Sequence, residues 1–259
     1  RNYLLVDFLR DASAVNVVKS VHVQAEHDPS DPVRETRWLQ AIADRPGSRG
    51  FPHGLVAFAD FSKPNIEGIL DAHCHYPNIR GIRQMLHESL VDPDKPKPAL
   101  MEDAVWRRNL KLLHKYGLSF DLQVYYQQMD QTCKIVGANP DIQFVVCHTG
   151  QPARRDPVGR QGWKTGMRLL AQMPNVCVKI SGLGMFDRHW TMDSLRPFVQ
   201  ETIETFGVDR CMFGSNFPVD GMMSSYSNLW NAYFRLTAHY SADERRQLFF
   251  ENAKRVYRL

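Results

Sequence analysis

The chain has 259 residues, 43% of them apolar, and its 32 basic and 28 acidic side chains leave a net charge of +4. With a mean hydropathy of -0.39, these figures exclude a disordered chain and allow a substantial core in one large α/β domain or two small ones. The charge is too slight and too well mixed to argue for nucleic acid, and no run of about eighteen apolar residues offers a membrane span.

Residues 3–11 set Leu4, Leu5, Phe8 and Leu9 at helical spacing. Asp7 and Asp11 stand where a signal peptide would need an apolar core, so the expected location is cytoplasmic. The five cysteines (Cys74, Cys133, Cys147, Cys177 and Cys211) form no C-x-x-C pair, and buried reduced thiols are expected.

In residues 17–26, His22, Gln24 and Glu26 alternate with Val21, Val23 and Ala25, which is a strand with one polar face. Ser30 or Asp31 is placed to cap a helix running to about residue 45. Further strands are expected at 54–58, 78–83, 118–124, 142–148, 176–181 and 211–214. Helices are expected at 65–72, 101–116, 126–139, 163–172, 193–206 and 241–257. Seven strands separated by helices every 20–35 residues or so have the cadence of successive βα units in a parallel sheet.

Polar residues recur in phase near the strand ends: His22, Gln24, Glu26, Arg83, Asp121, Gln123, His148, Lys179, Ser181 and Asn216. In a barrel such positions look into the mouth. A doubly wound open sheet would show a glycine-rich phosphate loop, and no G-x-G-x-x-G or Walker A pattern is present. The expected fold is therefore a (β/α)8 TIM barrel in a single domain, residues 1–259, with one strand missing.

The stretch 210–220 is the most suggestive: a buried strand, Cys211 to Gly214, opens directly onto Ser215, Asn216 and Asp220. With four other motifs it resembles the amidohydrolase superfamily, specifically the amidohydrolase-2 type that includes sugar-lactone hydrolases. Those motifs are Val21-His-Val-Gln-Ala-Glu26, Arg80-Gly-Ile-Arg83, Val146-Cys-His-Thr-Gly-Gln-Pro152 and the ending Asn252-Ala-Lys-Arg-Val-Tyr257. They stand in family order over almost the whole chain.

The resemblance implies a hydrolase acting on a small cyclic ester, with a divalent metal ion such as zinc as cofactor. The family's first strand ends in His-x-His, which this chain does not offer before its first helix, so the natural protein is expected to begin earlier. Asp71-Ala-His-Cys-His75 imitates that motif but follows a helix and precedes a strand, which puts His73 and His75 on the N-terminal face as polar helix-end residues.

His148 matches the family's sixth-strand histidine and is the expected metal ligand or carbonyl polariser. Asn216 stands where the family carries aspartate as general base, and a neutral amide accepts no proton. Asp220 takes over that role, or Glu26 or an upstream histidine does. Gln24, Glu26, Arg83 and Gln123 are the expected substrate contacts, Arg83 having an ion pair as its alternative. Lys179 suits a pair with an acid such as Asp121. Met222, Met223, Tyr226 and Trp230 wall a pocket or pack the core. The expected partner is a small molecule, with Arg154 and Arg155 suited to an anionic one, and neither nucleic acid nor membrane. Two rivals remain at this stage, a non-oxidative decarboxylase and a barrel that binds a ligand without turnover.

Overall fold

The computed structural model describes residues 2–87 and 100–259. Its framework is one all-parallel sheet of seven strands in sequential order: β1 (Val21–Val23), β2 (Gly54–Phe58), β3 (Ile79–Met85), β4 (Ser119–Gln123), β5 (Phe144–Val146), β6 (Val176–Ile180) and β7 (Cys211–Phe213). The sheet curls into a partial barrel with helices on its convex side, and among the described residues β1 and β7 each pair with one neighbour. The cadence of seven parallel strands is thus as the sequence leads one to expect.

The helices are α1 (Leu5–Ala12), α2 (Val33–Ala43), α3 (Ile66–Cys74), α4 (Ala104–Leu110), α5 (Leu112–Tyr116), α6 (Met129–Gly137), α7 (Pro157–Ala171), α8 (Met192–Phe206), α9 (Tyr226–Leu236), α10 (Ala242–Arg246) and α11 (Asn252–Tyr257). Several boundaries differ from the sequence expectation, each for a local reason. α2 has Pro32 at its N-cap and no side-chain cap, so neither Ser30 nor Asp31 plays that part. The single helix expected over 101–116 starts later, where the Asp103 carboxylate accepts from the Val105 and Trp106 amides, and it breaks at Lys111. α7 starts six residues before the expected 163 because Asp156 caps it and Pro157 occupies the first turn. The closing helix is interrupted by a π turn, Gln247–Glu251. α9, capped by Ser225, was not foreseen.

Alternation decides the two faces of the sheet. Leu55, Ala57, Ile82, Phe120, Leu122, Phe144, Val146, Val178 and Phe213 point outward into the main core beneath the helices. Val56, Val145, Cys177 and Met212 point inward, where they meet Val256 and Tyr257 of α11. The chain's last residues thus fill the N-terminal end of the barrel interior. Arg80 and Arg258 fasten them there, each guanidinium donating to the other's carbonyl at 3.2 and 3.1 Å.

Candidate active site

Toward the C-terminal end of the strands the inner face turns polar. Arg83 pairs in register with Asp121, and Lys179 with Met212, so their side chains share the concave side. Lys179 Nζ meets Asp121 Oδ2 at 2.5 Å, and the Tyr257 hydroxyl donates to the same carboxylate at 3.1 Å. Burial works against the lysine's charge, but the Asp121 carboxylate outweighs it and holds Lys179 above its ordinary range. This is the structural ion pair expected for Lys179. It closes the floor of the mouth.

His148 follows β5 on a backbone turned sharply out of the strand. His148, Thr149, Gly150 and Gln151 all have positive φ, at 52, 57, 66 and 49°. Such conformations cost non-glycine residues about 1–3 kcal/mol each and persist only where the surroundings impose them. The imposing contacts are visible: the Thr149 hydroxyl lies between the Ser181 amide and carbonyl at 3.3 Å, and the Trp163 indole donates to the Thr149 carbonyl at 2.8 Å.

The turn buries the His148 imidazole and sets its Nδ1 3.1 Å from Ser181 Oγ. Burial, then the charges of Arg83, Lys179 and His87, holds His148 well below the usual imidazole range. A neutral ring with one nitrogen occupied by Ser181 has the other, Nε2, left for chemistry. Gly182, at φ +65°, lets the ring come so close: a Cβ there would stand 2.7 Å from Nδ1.

On the far side of the same loop lies Asp220. It is 1% exposed and accepts from the Asn216 amide at 2.9 Å through Oδ1. Its Oδ2 is buried with no hydrogen-bond partner among the described residues. Burial pushes the carboxyl up to about 6, against the opposing influence of the Asn216 amide and the nearby Gly184 main chain. A Cβ on Gly184 would lie 3.5 Å from Asp220 Oδ2. His148 and Asp220 therefore abut one stretch, residues 181–184, from its two ends, and Asn216, at φ +53°, links the second to the end of β7.

Gln24 is 2% exposed, and its amide is held by main chain at both ends, accepting from Glu26 N and donating to the Arg83 carbonyl at 3.4 Å. Arg83 returns a bond from Nη2 to the Gln24 carbonyl at 2.5 Å and keeps a buried Nε without a partner among the described residues. Gln24 is thus a brace for Arg83 and Glu26. Glu26 is half-buried with a left-handed backbone. Gln123 is buried, and its Oε1 has no partner among the described residues.

Three expectations need correction. His22 does not face the mouth: β1 has only three residues, Val21 and Val23 point inward, and His22 Nε2 meets Glu35 of α2 at 2.9 Å. Arg155 is not open to an anion, because it bonds Asp187 at 2.9 Å and the Leu183 carbonyl at 3.2 Å. Met222 is 77% exposed and walls nothing, whereas Tyr226 is buried against Phe217. His73 and His75 behave as helix-end residues. His73 is buried between the Thr36 hydroxyl and the Phe58 carbonyl, and burial lowers it to about 4. His75 is bound to the Asp71 carbonyl.

His87 and Tyr125 are neighbours of the site that the sequence reading missed. Their rings lie 4.8 Å apart, and His87 is close enough to bear on the charge of His148. The signal was the two-residue period of β3 carried on from Arg83 through Met85 to His87. For a metal, the donor set is thin: among the described residues no three histidine, cysteine or acidic side chains gather closely enough to hold an ion. The described residues therefore do not fit a metal centre.

Residues 4–259 match the family model described as amidohydrolase. An uncharacterized protein, y4mH of Sinorhizobium fredii, is 46% identical over 261 residues, covering all of this chain and 86% of its own. An L-fucono-1,5-lactonase of Burkholderia ambifaria is 28% identical over 237 residues, covering 87% of this chain and 76% of its own. A crystal structure of an amidohydrolase from Burkholderia multivorans with bound zinc superimposes with a TM-score of 0.86 at 24% identity, covering 100% of this chain and 89% of that one.

Proposed function

Because the chain belongs to the amidohydrolase family, we propose that it is a hydrolase that opens a small lactone by attack of water on the ring carbonyl. The observation that carries this reading is the placement of a buried imidazole anchored by Ser181 and a buried acid held by Asn216 on two sides of one short loop. The similarity to an L-fucono-1,5-lactonase supports the choice of a sugar lactone.

In this mechanism the Ser181 hydroxyl donates to His148 Nδ1, so that Nε2–H points at the carbonyl oxygen and takes up the charge that develops there. Water adds to the carbonyl carbon and gives a proton to Asp220 Oδ2, the oxygen left without a hydrogen bond among the described residues. Asn216 holds the other oxygen and so aims the acid. The ring C–O bond then breaks, the leaving oxygen takes the proton back from Asp220, and a hydroxy acid is released. Arg83 through its unpartnered Nε, with Gln123 and Glu26, holds the polar edge of the sugar.

Ring opening of L-fucono-1,5-lactone, followed by proton release, tests the proposal. His148→Ala and Asp220→Asn are each expected to lower kcat by about 100-fold or more. Unchanged rates in both would remove the mechanism. Release of carbon dioxide from aromatic carboxylates, with lactones untouched, would favour decarboxylation in its place.

A further inference from the structure

Outside the mouth, a cleft of about 440 Å³ runs between the segment following β6 and the helix α9. Its apolar part is Trp190, Met192 and Met223, and one face of α9 contributes Asn228, Asn231 and Arg235 at spacings of three and four residues. None of its lining side chains is a carboxylate. The acid next in sequence, Asp193, is engaged by Arg196 at 3.3 Å. Among the described residues the Arg235 guanidinium and the side-chain amides of Asn228 and Asn231 have no partner. An exposed arginine without an acidic partner among the described residues, two exposed amides and a half-buried tryptophan thus share one open concavity.

We propose that this cleft is a second binding site, for a small organic carboxylate with a flat or apolar body. The planar fork of Arg235 matches a carboxylate in two-point contact, which the amides extend to neighbouring oxygens, while Trp190 and the two methionines cover the body. The volume lies in the range of small-molecule sites, about 300–1,000 Å³. The cleft shares no lining residue with the His148 site, but it adjoins the Asp220 loop, because the Met223 and Ser224 amides both donate to the Asp220 carbonyl at 3.0 Å. The binding does not rest on the hydrolase reading.

Titration calorimetry of the whole chain with benzoate tests the site, with benzamide as the uncharged control. Benzoate is expected to bind, benzamide to bind at least about tenfold more weakly, and Arg235→Gln to raise the benzoate Kd by about tenfold or more. His148→Ala is expected to leave benzoate binding unchanged, and Arg235→Gln to leave lactone turnover and the melting temperature unchanged. The proposal is overturned if benzoate shows no heat at millimolar concentration. It is equally overturned if Arg235→Gln binds benzoate as the parent does, or if His148→Ala abolishes binding that Arg235→Gln keeps. Failure of the hydrolase reading shows separately, in lactone assays without benzoate.

Discussion

Substituting Gly182 with alanine asks whether the position of the His148 ring is what the site depends on. The new Cβ would stand 2.7 Å from His148 Nδ1, 2.9 Å from its Cγ and 2.8 Å from Met185 Cε. Ordinary contacts of this kind need about 3.5–4.0 Å, so the ring must give way by about 1 Å. The ring has little freedom to do so, since its backbone is left-handed and Thr149 and Trp163 hold the next residue. A 1 Å misplacement of a reacting group costs about 100-fold in rate, and that is the expected fall in kcat for lactone opening. The left-handed backbone at 182 adds a stability cost of about 1–2 kcal/mol, a fall in melting temperature of roughly 2–8 °C for a chain of this size.

Gly117→Ala separates the two effects, because φ is +60° there and nothing lies within 4 Å of the added Cβ. It should lose similar stability and keep its turnover. If Gly182→Ala is folded and turns over within about twofold of the parent, the placement of His148 against Ser181 and Gly182 is not what catalysis uses.

Two further outcomes follow from the buried charges. Asp220 is raised from 3.8 to about 6, so between those values the folded chain binds more protons than the unfolded one. Its contribution is full below about pH 4 and lost as pH rises through 6, up to about 3 kcal/mol. Melting curves should show that fall in the parent and not in Asp220→Asn, while the lactone rate should rise with pH toward a plateau above about 6 in the parent only. A parent melting profile identical to that of Asp220→Asn between pH 4 and 7 contradicts the burial argument. Lys179→Met leaves the Asp121 carboxylate buried with the Tyr257 hydroxyl and the Cys147 thiol but no cation bonded to it, and should destabilise the chain by about 3–5 kcal/mol in urea titration. A loss below about 1 kcal/mol would mean that the pair is solvated.

The period of two in the strands was legible in the sequence, and with it the polar rim at Arg83, Gln123, His148 and Ser181. The decoy at His73 and His75 was also legible, because a helix-to-strand junction fixes which end of a barrel it occupies. His22 was misassigned because alternation gives the phase of a strand but not which phase points inward; Glu35, thirteen residues on, decides that by drawing the imidazole outward. α9 was hidden because its Ser225 cap follows a segment, Met222 to Ser224, that reads as loop or pocket wall. The left-handed turn at His148 could not be read from His-Thr-Gly-Gln, since its cause lies at Ser181 and Trp163, far off in the chain.

The four residues from Ser181 to Gly184 act as a spacer bar between imidazole and acid, and a bar of fixed length cannot be adjusted from one end. Adding or deleting a single residue within it would shift both reacting groups at once. Insertions after β1 or β2 would reshape the rim for a larger or smaller sugar and leave the bar untouched. Redesign of this scaffold toward other esters therefore has its freedom at the first strands and its constraint at the sixth.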